Sequence, residues 1–513
     1  MLEAIFIGFA FSVGLIVSAI GLPPLIGYLA AGFIISAFSS FLDLPVLALS
    51  SLEHIAHYGV LLLLFTVGLK LNIKKVARPE VIGTSLLHFF LSTSTFAVSI
   101  YFIVGTSIET SVMLATALSF SSTVLAAKTL EGKQELKAFH GRVAIGILIA
   151  QDLIAMVVMS IASGKTPSAW AFGLFLLPLI RPLLYKVLDS SGNEELMILF
   201  GLLLAVVVGG GAFEAVGLSG ELGALAMGAI MSGHKKSAFL SERLWSLKEI
   251  FLVGFFLSIG LKGLPTYDDL YFAFAVTMLL PIQVVIFFGL LVYFKLKARS
   301  AFLTTISLTN FSEFGLIVCA AVMPEWTISI ALAVTFSFIF SAPLNRFAHP
   351  IFDRIEKYAS KFERNVRHPD EESIVLGDAT ILMMGMGKIG ASAYKNLQQY
   401  GKTVGIDSDQ ELVALHRENG LNVQYADVEH LGIWESLDLS NLKYCVLALK
   451  HTEATKGIIE ALRKKGFEGL IVAHSLNEDA AQIIKDSGAD EAYITADEAG
   501  AGLASKVALS MKM

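Results

Sequence analysis

The stretch LIAQDLIAMVV, residues 148 to 158, sets Gln151 and Asp152 side by side inside an apolar run. A carboxylate at that depth is costly unless it faces a cavity or a partner. Desolvation raises the pKa of a carboxylate, whereas a bound cation favours its charged form, so one buried carboxylate can hold a proton or a metal cation in turn. That alternation is the least chemistry a cation-for-proton exchange needs. A purely structural acid would need only a hydrogen bond between helices. Two further stretches carry polar groups within apolar runs. LSFSSTVLA, 118 to 126, holds Ser119, Ser121, Ser122 and Thr123, and SLTNFSEFGLIV, 307 to 318, holds Thr309, Asn310, Ser312, Glu313 and Gly315. Singly, either would be ordinary Ser/Thr packing between helices. As a pair beside an acid they read as two broken helices, whose freed carbonyls and half-helix ends form an ion site. Glu313 is then a second carrier or a structural partner. LLPIQVVIF, 279 to 287, adds Gln283, which is a packing amide or a member of the site.

The composition fits a membrane setting. Of 513 residues 55% are hydrophobic and 16% charged, and the mean hydropathy is +0.69, which excludes an ordinary soluble enzyme. Apolar runs fill residues 1 to 348, and the charge gathers in 353 to 513. Two domains follow, one in lipid and one in water. Cys319 and Cys445 have no metal or disulfide spacing and suit a reducing interior. The first apolar run has no basic leader or cleavage site and reads as a retained span.

Runs of about 20 apolar residues place spans near 2–20, 22–38, 52–72, 80–105, 108–130, 140–163, 168–186, 194–216, 219–234, 246–262, 268–296, 299–322 and 326–348. The run 168–186 is interrupted by Pro178, Arg181 and Pro182 and could lie at the interface. Lys and Arg collect in alternate loops, among them Lys70 to Arg78, Lys128 to Arg142 and Lys295 to Arg299. The excess marks the cytoplasmic side, which sets the N-terminus outside and the C-terminal domain in the cytoplasm.

After a charged linker comes ATILMMGMGKIGASAYKNL, a short apolar strand followed by Gly385, Gly387 and Gly390 and an amphipathic helix. The first glycine permits the tight turn, the second lets the backbone approach phosphates, and the third allows helix and strand to pack closely. The next strand, KTVGIDSD, carries Asp407 at the spacing expected of an acid bound to a ribose. NVQYADVEH, YCVLALK, GLIVAHS and EAYIT continue a βαβ series with parallel strands. The rival reading is a Rossmann-like fold used only to dimerise.

These motifs, taken in order with IGYLAAGFIIS, GLSGELGALAMGAIMSG and FLVGFFLSIGL, resemble the monovalent cation:proton antiporters of the Kef type, relatives of the NhaA sodium/proton exchangers. The resemblance covers nearly all of residues 1 to 348. The part after it resembles the TrkA-N or RCK domains that regulate potassium channels and transporters. The resemblance implies an α-helical polytopic membrane domain over 1–350 with NhaA-like inverted repeats and crossed broken helices. A linker over 351–377 then leads to an α/β Rossmann-like RCK domain over 378–513.

It further implies that Asp152 carries the cation and the proton, that Gln151 replaces a second acid of electrogenic relatives, and that Ser122 and Thr123 lie at the first helix break. Asn310, Glu313 and Gln283 complete the candidate set. Gln283 stands on the helix where electrogenic relatives carry a lysine, and one acid without its neighbour implies electroneutral exchange. In the RCK part Gly385, Gly387, Lys388, Ile389 and Gly390 would line phosphates, Asp407 would hold the ribose, and Asp427 would sit near the adenosine of AMP, ADP/ATP or NAD(H).

The expected protein is therefore a multi-pass inner-membrane homodimer, paired through both domains and surrounded by lipid. It is not an enzyme, has no nucleic-acid partner, moves potassium against protons in an elevator-like cycle and is regulated by nucleotide. Sodium is the alternative ion. A potassium channel would need a TVGYG-like filter, which is absent, and a membrane-tethered oxidoreductase would need a catalytic partner for its nicotinamide. The His-Ala-Leu-Glu loop of glutathione-gated members is not reproduced in 235 to 250.

Overall fold

A computed structural model describes residues 2–38, 46–70, 77–133, 135–136, 138–162, 168, 176–364, 368, 374, 376–426, 437–449 and 451–494, with isolated positions at 500, 504 and 507. The chain forms two compact units, residues 1–136 with 140–364, and residues 365–513 with 137–139. Asp427 lies outside the described residues, as do residues 169–175 of the expected span 168–186.

The first unit is helical. It begins with α1 (Leu2–Ala19), α2 (Pro24–Ala37), α3 (Val46–Leu69), α4 (Pro79–Val104), α5 (Ile108–Leu118), α6 (Thr123–Gly132) and α7 (Phe139–Ala162). Next come α8 (Arg181–Ser190) and α9 (Glu194–Leu202), the latter widened through a π-helical segment, Leu203–Gly211, into α10 (Ala212–Ala215). The unit ends with α11 (Gly220–Met231), α12 (Ser237–Leu261), α13 (Tyr267–Thr277), α14 (Leu280–Tyr293), α15 (Ala298–Leu308), α16 (Glu313–Val322), α17 (Thr327–Arg346) and α18 (Ala348–Ala359).

Among the described residues, length and hydropathy qualify seven spans, or eight with the bent pair 298–308 and 313–322. Thirteen were expected. Shorter apolar helices among the described residues lie at 4–19, 24–37, 54–69 and 220–231, the first two separated at Gly21 (φ +82°) ahead of Pro23 and the last preceded by Gly217 (φ +80°).

The helices pack as two groups. In one, α1, α2, α3, α11 and α12 lie together. Their close approach depends on facing glycines: a Cβ on Gly32 would lie 2.5 Å from the Leu257 carbonyl, and one on Gly228 would lie 2.2 Å from that of Phe65. In lipid, where apolar surface gains little by leaving the solvent, such small-residue contacts supply the association. The other group joins α4, α5 and α13 to α17, and α7 leans on α4 where Ser85 Oγ lies 3.5 Å from the Ile147 carbonyl.

The second unit is a six-stranded parallel sheet in the order β3-β2-β1-β4-β5-β6. The strands are β1 (Ile381–Met384), β2 (Thr403–Asp407), β3 (Val423–Tyr425), β4 (Tyr444–Leu447), β5 (Leu470–Ser475) and β6 (Glu491–Ile494). Helices α19 (Lys388–Leu397), α20 (Gln410–Glu418), α21 (Thr452–Lys464) and α22 (Glu478–Asp486) alternate with them. Strand β1 is central and covered on both faces, so its run ILMM is wholly buried rather than alternating. One face packs Leu382, Met384 and Cys445 against Ile458 and Ile459 of α21, and the other packs Met383 against Tyr394 of α19. Burial pushes the Cys445 thiol up, which makes it an inert core residue.

Candidate functional site

Both breaks in the membrane unit begin a new helix at a serine. Ser122 is extended (φ −73°, ψ 118°) and accepts from the Leu125 amide at 3.2 Å, and Ser312 accepts from the Phe314 amide at 3.0 Å. Serine is favoured there because its hydroxyl satisfies an orphan amide of the first turn. The breaks meet each other. The Ser122 amide donates to Asn310 Oδ1 at 2.6 Å, and a Cβ on Gly315 would lie 1.9 Å from the Ala117 carbonyl. Only glycine lets α16 begin so close to the end of α5.

Chain broken at this depth frees amides that no water can reach, and each needs a partner. The Ser121 amide donates to Gln151 Oε1 of α7 at 3.0 Å, and the Phe311 amide donates to Ser337 Oγ of α17 at 3.0 Å. Side chains from neighbouring helices thus stitch the crossing. Asp152, 2% exposed, stands beside it on α7. Thr123 Oγ1 lies 3.1 Å from one carboxylate oxygen and 3.4 Å from the other, the one donor the carboxylate has among the described residues. Its other lone pairs are left for a proton or a cation.

Gln151 does not reach Asp152; it holds the break. Its Oε1 serves Ser121, so Nε2 faces outward and lies 3.5 Å from His88 Nδ1 on α4. An accepting Nδ1 leaves the ring proton on Nε2, which lies 3.3 Å from Ser92 Oγ. The His88 ring also stacks on Phe287 of α14 at 3.6 Å and 9°. His88, Ser92 and Ser337 are absent from the sequence reading. The pair HFFLS, a histidine and a serine four residues apart in an apolar run, is the signal that points to the first two.

Glu313 is the first residue of α16, is 1% exposed and has no hydrogen bond of ordinary geometry among the described residues. Its electrostatic surroundings are Ser122 and the Val124 amide at the start of α6, together with the buried Lys248 of α12. It therefore sits between two helix N-termini, where the macrodipoles favour negative charge. Gln283 is fully buried and, among the described residues, has no hydrogen bond, to Asp152 or to any other group. The crossing thus brings together Gln151, Asp152, Ser122, Thr123, Asn310 and Glu313, and Gln283 stands apart one turn before Phe287.

In the second unit the three glycines play distinct parts. Gly385 has φ +84°, Gly390 would place a Cβ 1.7 Å from the Gly385 carbonyl, and Gly387 would place one in open space. Gly387 precedes the first turn of α19, where Lys388 and Ile389 stand with amides free of intrahelical partners. Such a terminus takes a phosphate. Asp407 ends β2 with Oδ2 accepting from the Met386 amide at 2.6 Å and Oδ1 from Asp409 at 2.7 Å. The acid therefore ties down the glycine loop, and each oxygen keeps a lone pair for a ribose hydroxyl. His416 Nε2, 2.8 Å from the Met386 carbonyl, fastens the same loop from α20. These residues fit a dinucleotide or mononucleotide phosphate.

Comparison with known proteins gives the same division. Residues 7–345 match the family "Sodium/hydrogen exchanger, transmembrane", and residues 381–495 match the TrkA-N domain. YbaL of Escherichia coli (strain K12) is 24% identical over 530 aligned positions, covering 94% of this chain and 92% of that protein. The glutathione-regulated potassium-efflux system protein KefC of Salmonella newport (strain SL254) is 26% identical over 510 positions, covering 93% and 79%. The solved sodium proton antiporter MjNhaP1 of Methanocaldococcus jannaschii is 15% identical with a TM-score of 0.47, over 68% of this chain and 96% of that one. With a family model matched over more than half of its length and a parallel-sheet domain after it, the chain belongs to the sodium/hydrogen exchanger family and carries a C-terminal TrkA-N domain.

Proposed function

We propose that the chain exchanges potassium for protons across the inner membrane, with Asp152 as the carrier. The observation behind this reading is the state of that carboxylate. It is buried beside two crossed helix breaks with a single hydroxyl donor, Thr123, while the amides freed by the breaks are met by Gln151, Asn310 and Ser337. A proton or a desolvated cation satisfies it, and the two compete for one site. Glu313 serves as a fixed counter-charge to the N-termini of α6 and α16. With one exchangeable acid the cycle is electroneutral, one proton for one cation.

Potassium is favoured because of the company the membrane unit keeps: KefC is by name a potassium-efflux protein, and the chain matches it along both units. Alternating access follows if the group containing α4, α5 and α13 to α17 moves against the group containing α1, α2, α3, α11 and α12. An adenine nucleotide held by Gly385, Gly387, Lys388, Ile389 and Asp407 regulates that movement, to the extent that it binds the two states differently. The N-terminus lies outside, the TrkA-N domain lies in the cytoplasm, and the working form is a homodimer.

The test is proton movement in proteoliposomes containing a pH dye, on addition of potassium, sodium or lithium. Potassium should drive it in the wild type at a rate unaffected by an imposed membrane potential, and Asp152→Asn should be silent. A signal for sodium alone would reassign the ion. No cation-coupled proton movement, with or without nucleotide, would end the antiport reading.

A further inference from the structure

At the end of the membrane helices from which the chain continues into α18, a cleft of about 360 Å³ opens between the α1–α2 corner, α6 and α17. Its volume lies within the range of small-molecule sites. Three cations line it, Lys128 and Lys133 at the end of α6 and Arg346 at the end of α17, and no acid does. The inner wall is apolar, with Leu25, Val124 and Phe338 all buried. Charged residues at helix ends are common where a span meets water. Here, however, they converge on one concave, apolar-walled space.

Their existing contacts leave charge to spare. Lys128 Nζ lies 3.4 Å from Glu249, and both side chains are partly exposed. Lys133 Nζ donates to the Asn345 carbonyl at 2.6 Å, a neutral partner. The acid that acts on it electrostatically is Glu135, which His140 and His349 already hold at 3.1 and 2.5 Å. Burial acts to raise the Glu135 carboxyl, but the two histidines outweigh it and keep the group well below the usual carboxylate range. Arg346 is exposed and has no ion pair among the described residues.

We propose that this cleft seats the phosphate of an anionic phospholipid, with its first acyl carbons along the Val124 and Phe338 wall. Depth selects the lipid over a free anion. Arg346 ends α17, Lys133 caps the C-terminus of α6 and Lys128 stands little more than one turn before it, and the wall behind them is apolar, which a free phosphate cannot use. Each lysine or arginine beside an anionic headgroup adds a roughly equal increment of attraction. A headgroup held there bridges α1–α2 of one helix group and α17 of the other.

Native mass spectrometry of the purified full chain, titrated with phosphatidylglycerol or phosphatidylcholine, tests the site without reference to transport. The wild type should retain phosphatidylglycerol in preference to phosphatidylcholine. The double variant Lys128→Gln, Arg346→Gln should bind it about thirty-fold more weakly, as expected for the loss of two such cations. Arg346→Lys should keep it, and Ala342→Trp, which fills the cleft without changing charge, should lose it. Lys133 is left intact because it also holds the end of α17. Equal retention of the two lipids, or unchanged phosphatidylglycerol in both the double variant and Ala342→Trp, would overturn the proposal. So would displacement of the lipid by inorganic phosphate, which would make the cleft a free-anion site.

Discussion

Helix N-termini form both candidate sites of this protein, and the two treat their free amides in opposite ways. At the membrane crossing the amides of Ser121, Ser122 and Phe311 are each met by a side chain from elsewhere in the unit. At the start of α19 the corresponding amides stand beside Gly387, whose missing side chain leaves open space. The cause is the solvent. In hydrocarbon an unmet amide costs several kcal/mol, so the protein must supply partners, and what remains unsatisfied is the acid. In water the amides can wait for a ligand, and glycine keeps their approach clear. One region is therefore stitched around a carboxylate, and the other is kept open for a phosphate.

Breaking the carboxylate should have the largest effect. Asp152→Asn keeps the shape and removes the exchangeable charge, so exchange in proteoliposomes should fall to the protein-free background while the protein still elutes as the wild type does in detergent. Next comes the closest glycine contact of the other region. Gly390→Ala drives a Cβ into the Gly385 carbonyl, an overpacking that costs about 1–3 kcal/mol or more. It should lower the melting temperature of the TrkA-N domain and its nucleotide affinity together.

Asn310→Ala tests the stitching. It orphans the Ser122 amide at a cost of about 1–3 kcal/mol, visible as a lower melting temperature in detergent, and Asn310→Asp, which keeps the acceptor, should restore part of it. Asp407→Ala removes charge-assisted bonds worth about 1.5–3 kcal/mol. Calorimetry should show nucleotide affinity reduced at least about ten-fold, with transport in the absence of nucleotide unchanged. Gly387→Ala is the smallest structural change, because its φ of −64° is open to any residue and its Cβ meets nothing. Stability should stay within about 0.5 kcal/mol while phosphate-bearing ligands bind more weakly. A Gly387→Ala domain that unfolds, or that binds nucleotide as before, would erase the contrast between the two regions.

Legibility in the sequence followed the same divide. The glycine loop, the strand before it and Asp407 could be read from spacing alone, since local backbone geometry dictates each of them. The parallel sheet follows from the alternation of short apolar strands and amphipathic helices. Asp152 and the serine-rich breaks could be read from their polarity against apolar surroundings. The role of Gln151 could not, because adjacency in sequence suggests a partner to Asp152, whereas successive residues on a helix point about 100° apart. Its amide turns to Ser121 and His88 instead.

Gln283 shows the converse. Polarity in an apolar helix marked it as a candidate, but polarity says nothing about which way a helix is turned. Sequence by itself determined that this chain has an acid in an apolar helix, two serine-capped restarts, a glycine loop and a division into lipid-facing and water-facing halves. These follow from side-chain chemistry and short-range geometry. Tertiary structure alone decided that Ser122 meets Asn310 across 188 positions of chain, and that His88 rather than Asp152 stands at the amide of Gln151. It also decided that Lys128, Lys133 and Arg346 surround one cleft. Such pairings depend on how helices rotate and approach, which is set by small-residue contacts and by the requirement that every buried amide find an acceptor.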